Sequence, residues 1–392
     1  SWGVEKSKFM NKIIKYIKKF LPEIIFIPLY WFSFLIPKNK NLWVFGEWHG
    51  FRYADNSKYL FEYTYKWHKE IKSVWITKDK NIVRKVSKQN LPVFHAYSLQ
   101  GIFYCLRAKL VFITHDAGDV CHYCIGRSVL VNLTHGVPLK HLGKDVIYNR
   151  FGVLTKIIDN FILPLLPLKK KYNYILCADE RSKPRFESAF SAKGNVFSVG
   201  YPRWDGFNTA DKLDGFDGYN SIILYAPTLR FNNHKEFKPS LYPNFDDFLK
   251  YIEYNNMLCL FRPHPTMTID QKMLSSNNIR LVDSDTVKDI NSLFVLADIL
   301  LTDYSSVMYD FSMLKKTIIY FVPDLDIYLN EDVGVYGDFY LDALGPICKS
   351  WKEIIREIDK IALKVSHLSY NKKYERDFFS NYTFSFIKQI FN

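Results

Sequence analysis

Two histidines in this 392-residue chain stand where reacting groups stand in enzymes. His135 directly follows the apolar run 129–133 and opens the stretch Thr134-His135-Gly136-Val137-Pro138-Leu139-Lys140. A histidine at the carboxyl end of a strand is positioned toward a ligand, and Gly136 beside it permits close backbone approach. His264 follows the run 257–261 in Arg262-Pro263-His264-Pro265, where two prolines stiffen the loop that presents Arg262 and His264. Two more runs end in polar residues: 222–226 in Pro227-Thr228-Leu229-Arg230, and 298–302 in Asp303-Tyr304-Ser305-Ser306, ahead of a helix expected from Val307. The Ser305 and Ser306 hydroxyls and the first helical amides form an anion site whose natural guest is phosphate, with Thr228 and Arg230 adding a hydroxyl and a cation to the same rim. Taken singly, a histidine after a strand is usually a hydrogen-bonded structural residue, and a Ser pair before a helix is usually a cap. Four polar strand ends together point to a site.

These positions require strands that end in a common crevice. Beyond residue 40, short β-branched and aromatic runs alternate with amphipathic stretches: 42–46, 73–77, 110–114, 129–133, 174–178 and 196–199, then 222–226, 257–261, 279–282, 298–302 and 317–321. Continuous apolar runs of this length predict buried parallel strands in βαβ units. Between the two series, residues 205–220 carry three Gly and four Asp without an apolar period, which places a domain boundary there. The fold class is therefore α/β, two Rossmann-like doubly wound domains spanning 41–205 and 206–350, with helical segments over 351–392 packing back across both. Ligands belong in the cleft between the carboxyl ends of the two sheets. Asp55-Asn56-Ser57 reads as a helix cap with access to that cleft.

Composition narrows the partners. Lys plus Arg number 53 against 40 Asp plus Glu, a net +13, which favours phosphates, a lipid surface or nucleic acid. The first 40 residues hold eight Lys and two Glu. There Phe9, Ile13, Ile17 and Phe20 share one helical face while Lys8, Lys12, Lys15 and Lys19 lie on another, with Lys18 adding charge, the pattern of a basic amphipathic helix on anionic lipid. The next 18 residues, 20–37, lack Lys and Arg but contain Pro22, Glu23 and Pro28, which favours an interfacial segment over a span. Met10 is a plausible native start after a Ser-Trp-Gly beginning. Six scattered cysteines suit a reducing compartment. Cys121-His122-Tyr123-Cys124, with His115 nearby, lacks a second ligand pair, so no metal is expected. The Asp-x-Asp pairs at 283–285 and 324–326 read as surface acids. Neither GxxxxGK nor GxGxxG occurs after a strand, and no nucleic-acid motif accompanies the charge.

With these residues in hand, the chain resembles the CDP-glycerol glycerophosphotransferases of teichoic-acid and capsule synthesis. The matching segments are WVFGEWHGFRYADNSKYLFEY (43–63), HGVPLKHLG (135–143), YAPTLR (225–230), RPHP (262–265) and LTDYSSVMYDF (301–311), in order over most of the chain. Val137 and Leu229 stand where Thr and Trp are frequent in that family. The resemblance implies a GT-B fold with an acceptor domain followed by a CDP-donor domain. It implies a membrane-docking segment over 1–40 and a peripheral enzyme on the cytoplasmic face of a bacterial membrane. The reaction implied moves an alditol phosphate from a CDP-activated donor to a lipid-linked saccharide, releasing CMP, with no tightly bound cofactor. His135 and His264 take the positions of the family's essential histidines.

On that basis His135 is expected to accept the proton of the attacking hydroxyl. Arg230, Arg262, Thr228, Asp303, Ser305 and Ser306 would hold the donor, with Asp310 at its ribose, and Gly136, Lys140 and Asp55 would lie on the acceptor side. Lacking the long amino-terminal extension of the polymerases, the chain reads as a single-addition primer enzyme. The alternatives are a chain-extending polymerase, a GT-B sugar transferase, and a non-catalytic membrane-surface or nucleic-acid-binding protein. A homo-oligomer is compatible with the sequence.

Overall fold

Alternate residues along each apolar run face opposite sides of a sheet, so runs that are apolar throughout need cover on both faces. The computed structural model of the chain describes residues 25–146, 171–210, 212–230, 237–264, 267–283, 286–331, 335–362 and 377–391. The basic segment with Lys8, Lys12, Lys15, Lys18 and Lys19 lies outside the described residues. In the amino-terminal lobe β1 (Asn39–Phe45), β2 (Lys72–Thr77), β3 (Val93–His95), β4 (Ala108–Ile113), β5 (Val129–Asn132), β6 (Tyr174–Cys177) and β7 (Val196–Ser198) form one parallel sheet in the order β3-β2-β1-β4-β5-β6-β7. The second sheet is also parallel. It comprises β8 (Ser221–Ala226), β9 (Met257–Phe261), β10 (Ile279–Leu281), β11 (Ile299–Thr302), β12 (Thr317–Phe321) and β13 (Ile347–Cys348), in the order β10-β9-β8-β11-β12-β13.

The alternation sorts the core as the strand geometry requires. Val44, Val74 and Val111 pack with Cys105 and Leu130 on one face of the first sheet, while Trp43, Phe45, Trp75 and Phe112 pack with Leu60 and Phe61 on the other. In the second sheet Tyr225, Cys259 and Leu301 meet Phe248 and Trp351, and Leu224, Leu258 and Leu300 meet Leu293 and Met308. All six cysteines are buried free thiols, with the Cys121 and Cys124 sulfurs 3.5 Å apart.

Two short edge strands, β3 and β13, were not among the sequence expectations, and the boundary segment differs from them. Residues 202–208 form a buried 3-10 helix rather than the start of an open linker, because Trp204 and Phe207 among its polar residues enter the core. Gly215 and Gly218, at φ 84° and 93°, make the exposed turns that follow. The helix Trp351–Ala362 lies on the second sheet through Trp351, Ile354 and Ile358. The final helix, Phe378–Phe391, crosses back to the first lobe, placing Phe384 and Ile387 in its core while the amides of Phe379 and Ser380 donate to Asp205 at 2.9 and 2.8 Å. No helix among the described residues is long and apolar enough to cross a membrane.

Candidate active site

In each sheet the connections leaving the two central strands diverge, at β1/β4 in the first and β8/β11 in the second, and such a switch point opens a crevice at the strands' carboxyl ends. The loops from both crevices meet in one cleft of about 480 Å³. Its first-lobe wall includes Glu47, Trp48, Arg52, Asp55, His135, Gly136 and Lys140, and its second-lobe wall includes Thr228, Arg262, His264, Ser305, Ser306 and Asp310.

His135 is presented by a left-handed turn. Thr134 has φ 53°, a conformation costly for a β-branched residue. The turn is held from every side. Thr134 N–H donates to Asn132 Oδ1 at 2.8 Å, and Thr134 Oγ1 donates to the Leu176 carbonyl at 3.0 Å. Asn56 Nδ2 donates to the carbonyls of Leu133 and Thr134 at 3.2 and 2.9 Å. The exposed His135 ring has Nδ1 3.3 Å from the Thr114 carbonyl and stacks on His115, centroids 4.3 Å apart and planes 8° from parallel. A carbonyl can only accept, so Nδ1 carries the proton and Nε2 is left as the basic nitrogen. Burial, then the neighbouring His135 and His49, push His115 down to about 3, so it stays neutral.

Around this pair, Asp119 accepts from the backbone amides of His49, Thr114 and His115 at 2.7, 2.8 and 3.0 Å. His49, Asp116 and Asp119 bring metal-ligand atom types within 4.8 Å of one another. Their hydrogen bonds brace the loops after β1 and β4. Glu47 lies at the cleft floor, and burial, then Asp55 and Asp119, push its carboxyl well above the usual range.

The second-lobe loops are cross-braced, which revises several residue roles. Asp303 accepts the Thr228 amide at 2.9 Å and the Arg230 guanidinium at 2.8 Å, and Arg230 also pairs with Asp324 at 2.8 Å. With its side chain 8% exposed, Arg230 is a framework cation that fixes two loops and does not face the cleft as a free clamp. Asp303 is buried in the same bracing, and Thr228 presents a buried backbone. Asp324 is thereby a loop anchor, not a surface acid. Arg262 directs one nitrogen at the carbonyls of Val282, Asp283 and Val287, at 3.1, 2.8 and 2.9 Å, and still lines the cleft. Asp310 has both oxygens taken by Arg203 at 2.8 Å and one by Trp204 Nε1 at 2.7 Å, which displaces the ribose role read from sequence. Asp55 pairs with the same arginine at 2.7 Å.

His264 is half-buried on the second-lobe wall, and burial, then Lys140 and Arg52, lower its proton affinity. Ser305 and Ser306 are half-buried in the cleft ahead of a helix of only six residues, Val307–Ser312. Gly136 approaches Ser306 across the lobes: a Cβ there would sit 3.2 Å from Ser306 Oγ. The space that the sequence assigns to ligand approach is thus shared with the opposite loop. Lys140 stands 5.5 Å from the Tyr328 ring centroid, and its backbone bridges to Val335 of the second lobe.

Arg52, Arg203, His115 and Glu47 were not assigned from the sequence. Arg203 donates to Asp55, to the His135 carbonyl at 2.7 Å and to Asp310, joining both lobes at one guanidinium. The strand-end rule would have found it, since it follows β7 in Gly200-Tyr201-Pro202-Arg203.

Two Rossmann-like lobes with a histidine from each in one cleft, hydroxyls on one wall and cations on both, make a GT-B type fold with a cleft suited to an anionic ligand. The chain belongs to the CDP-Glycerol:Poly(glycerophosphate) glycerophosphotransferase family, whose model matches residues 28–385. It is therefore a transferase, of a family named for a CDP-glycerol donor. The chain is 28% identical over 350 residues to a teichoic acid poly(glycerol phosphate) polymerase of Bacillus spizizenii, covering 83% of this chain and 85% of the relative. It is 28% identical over 364 residues to a teichoic acid glycerol-phosphate transferase of Staphylococcus aureus, covering 88% and 92%. Among solved structures, the wall teichoic acid polymerase TagF superposes with TM-score 0.67 at 22% identity over 90% of both chains, and a TagF variant soaked with CDPG with TM-score 0.70 at 20% over 97% of both. Those structures establish the shared fold.

Proposed function

We propose that the chain transfers glycerol phosphate from CDP-glycerol to a hydroxyl of a lipid-linked saccharide, releasing CMP, at the cytoplasmic face of a bacterial membrane. The observation that supports this reading is the presence of His135 and His264 on opposite walls of one cleft. In the proposed step, His135 Nε2 takes the proton of the acceptor hydroxyl while its oxygen attacks the donor phosphorus that carries glycerol. The bond from that phosphorus to the bridging oxygen breaks, and CMP leaves with the electron pair. A phosphate leaving group needs little protonation, so the remaining demand is neutralisation of charge. His264, Arg262, Ser305 and Ser306 supply it from the donor side, and Lys140 lies toward the acceptor.

Single addition is the mode proposed; it is supported by the match over 92% of a relative named as a glycerol-phosphate transferase. A polymerase matches at the same identity, so product length decides. Incubation with CDP-glycerol or CDP-ribitol and a lipid-disaccharide acceptor should give, by mass spectrometry, one glycerol phosphate added per acceptor. A ladder of products would mean polymerisation, a ribitol adduct would change the donor, and no CMP release would remove the transferase mechanism as drawn.

Membrane docking belongs to the same proposal. Residues 25–32 are helical, and Ile25, Trp31, Phe32 and Leu35 in and just beyond this helix are more than half exposed, an apolar surface suited to the interface beside the basic segment.

A further inference from the structure

Neutralising a diphosphate takes cations that are not already paired, and the arginines in and around the cleft differ in how far they are committed. Arg203 is held by Asp55 and Asp310, Arg230 behind the cleft wall by Asp303 and Asp324, and Arg262 directs one nitrogen at three carbonyls, keeping only part of its fork for the donor side. Arg52 differs. It is half-buried, it lines the cleft, and among the described residues no carboxylate lies within ion-pair distance of it.

Its position is built in. Trp48, His49 and Gly50 follow one another at φ 45°, 55° and 87°, a left-handed run that turns the chain sharply after β1, with Trp48 and Arg52 lining the cleft. The bend is pinned where His49 N–H donates to Asp119 at 2.7 Å and Lys78 N–H donates to the Gly50 carbonyl at 2.7 Å. The Arg52 guanidinium then lies 4.2 Å over the Trp48 indole, whose edge meets His115 at 4.4 Å, which in turn stacks on His135. Arg52 is thus linked to the proposed base through one cation–π contact and two ring contacts. Its charge also reaches the other lobe, where it disfavours the protonated forms of His264 and Arg262. Cations from two lobes that repel one another across a cleft are stabilised by an anion between them.

We propose that Arg52 is a substrate-binding residue that grips the non-bridging oxygens of the transferred phosphoryl group, facing His264 across the donor diphosphate. This rests on the donor reading given under Proposed function. A guanidinium offers a planar pair of donors that matches two phosphate oxygens, and aromatic stacking presents that fork without consuming its N–H groups.

The test is calorimetry of CMP and CDP on the wild-type protein, R52Q and R52K, with turnover of CDP-glycerol. CMP lacks the second phosphate, so R52Q should bind CMP within twofold of wild type and CDP at least tenfold more weakly, with kcat/KM reduced about 10²–10³-fold. R52K should recover part of the CDP affinity and less of the rate, because charge returns without the fork. If R52Q proves unstable, R52K carries the comparison. Unchanged CDP binding in R52Q overturns the proposal, including the case where only KM for a phosphate-bearing acceptor rises. Wild-type protein that binds neither CMP nor CDP overturns the donor reading itself, and the role of Arg52 with it.

Discussion

An imidazole serves as a base only while one nitrogen is free and the ring is neutral. The Thr114 carbonyl secures the first condition for His135, and a neutral His115 stacked against it adds no competing charge. The low value of His115 carries a stability consequence. It is about 3 in the folded protein against about 6.5 unfolded, so between these values the unfolded chain binds a proton that the native state does not. Its contribution is complete above about pH 6.5 and is lost as pH falls toward 3. Urea unfolding at pH 6.5 and 5.5 should show a loss of about 1 kcal/mol that is absent in His115→Gln, and equal slopes in both proteins would refute this. His264 titrates with the opposite functional sign. An arriving phosphate raises its proton affinity, so CDP affinity should increase as pH falls from 7.5 to 6, and His264→Gln should flatten that dependence. Both histidines, and Ser305 and Ser306, could be read from the sequence because each directly follows an apolar strand. The arginines could not be sorted, since a cation's partners come from distant segments: Asp303 and Asp324 for Arg230, Asp55 and Asp310 for Arg203.

At the level of elements, the turn after β5 depends on the helix after β1. Asn56, in the first turn of the helix Asp55–Trp67, is fully buried; its amide nitrogen holds the Leu133 and Thr134 carbonyls, and its oxygen accepts the Arg203 amide at 3.2 Å. Asn56→Ala should destabilise the protein by about 2–3 kcal/mol through these unsatisfied groups. It should also lower kcat more than donor affinity, because the Thr134 turn carries the proposed base; chemical denaturation, turnover and donor titration on one sample check both. Apolar runs such as 257–261 and 317–321 coincide with β9 and β12 because strands covered on both faces leave an uninterrupted pattern. The edge strands β3 and β13, three and two residues long, carry too few residues to show a period. Residues 202–208 misled through composition: Gly and Asp suggest a linker, yet Asp205 caps the final helix from inside the core.

Across the whole molecule, the two lobes are joined by buried charge. Arg203 links Asp55 of the first lobe to Asp310 of the second, and Tyr59 donates to Asp289 at 2.6 Å beside it. Arg203→Met would leave two carboxylates facing one another with side chains 18% and 11% exposed, and should cost about 3–5 kcal/mol. Thermal unfolding should show the loss, with partial recovery on adding Asp310→Asn. The proposed membrane association belongs to the same scale: removing residues 1–20 should abolish sedimentation with anionic liposomes while leaving transfer to a soluble acceptor intact. The central claim is that the two histidines divide the work on one diphosphate, His135 moving the acceptor's proton and His264 holding the donor. Calorimetry of CDP-glycerol binding to His135→Asn, paired with its turnover, tests this most directly. Donor affinity should stay within about threefold of wild type while turnover falls by about 10²–10⁴; loss of donor binding together with turnover would contradict the account.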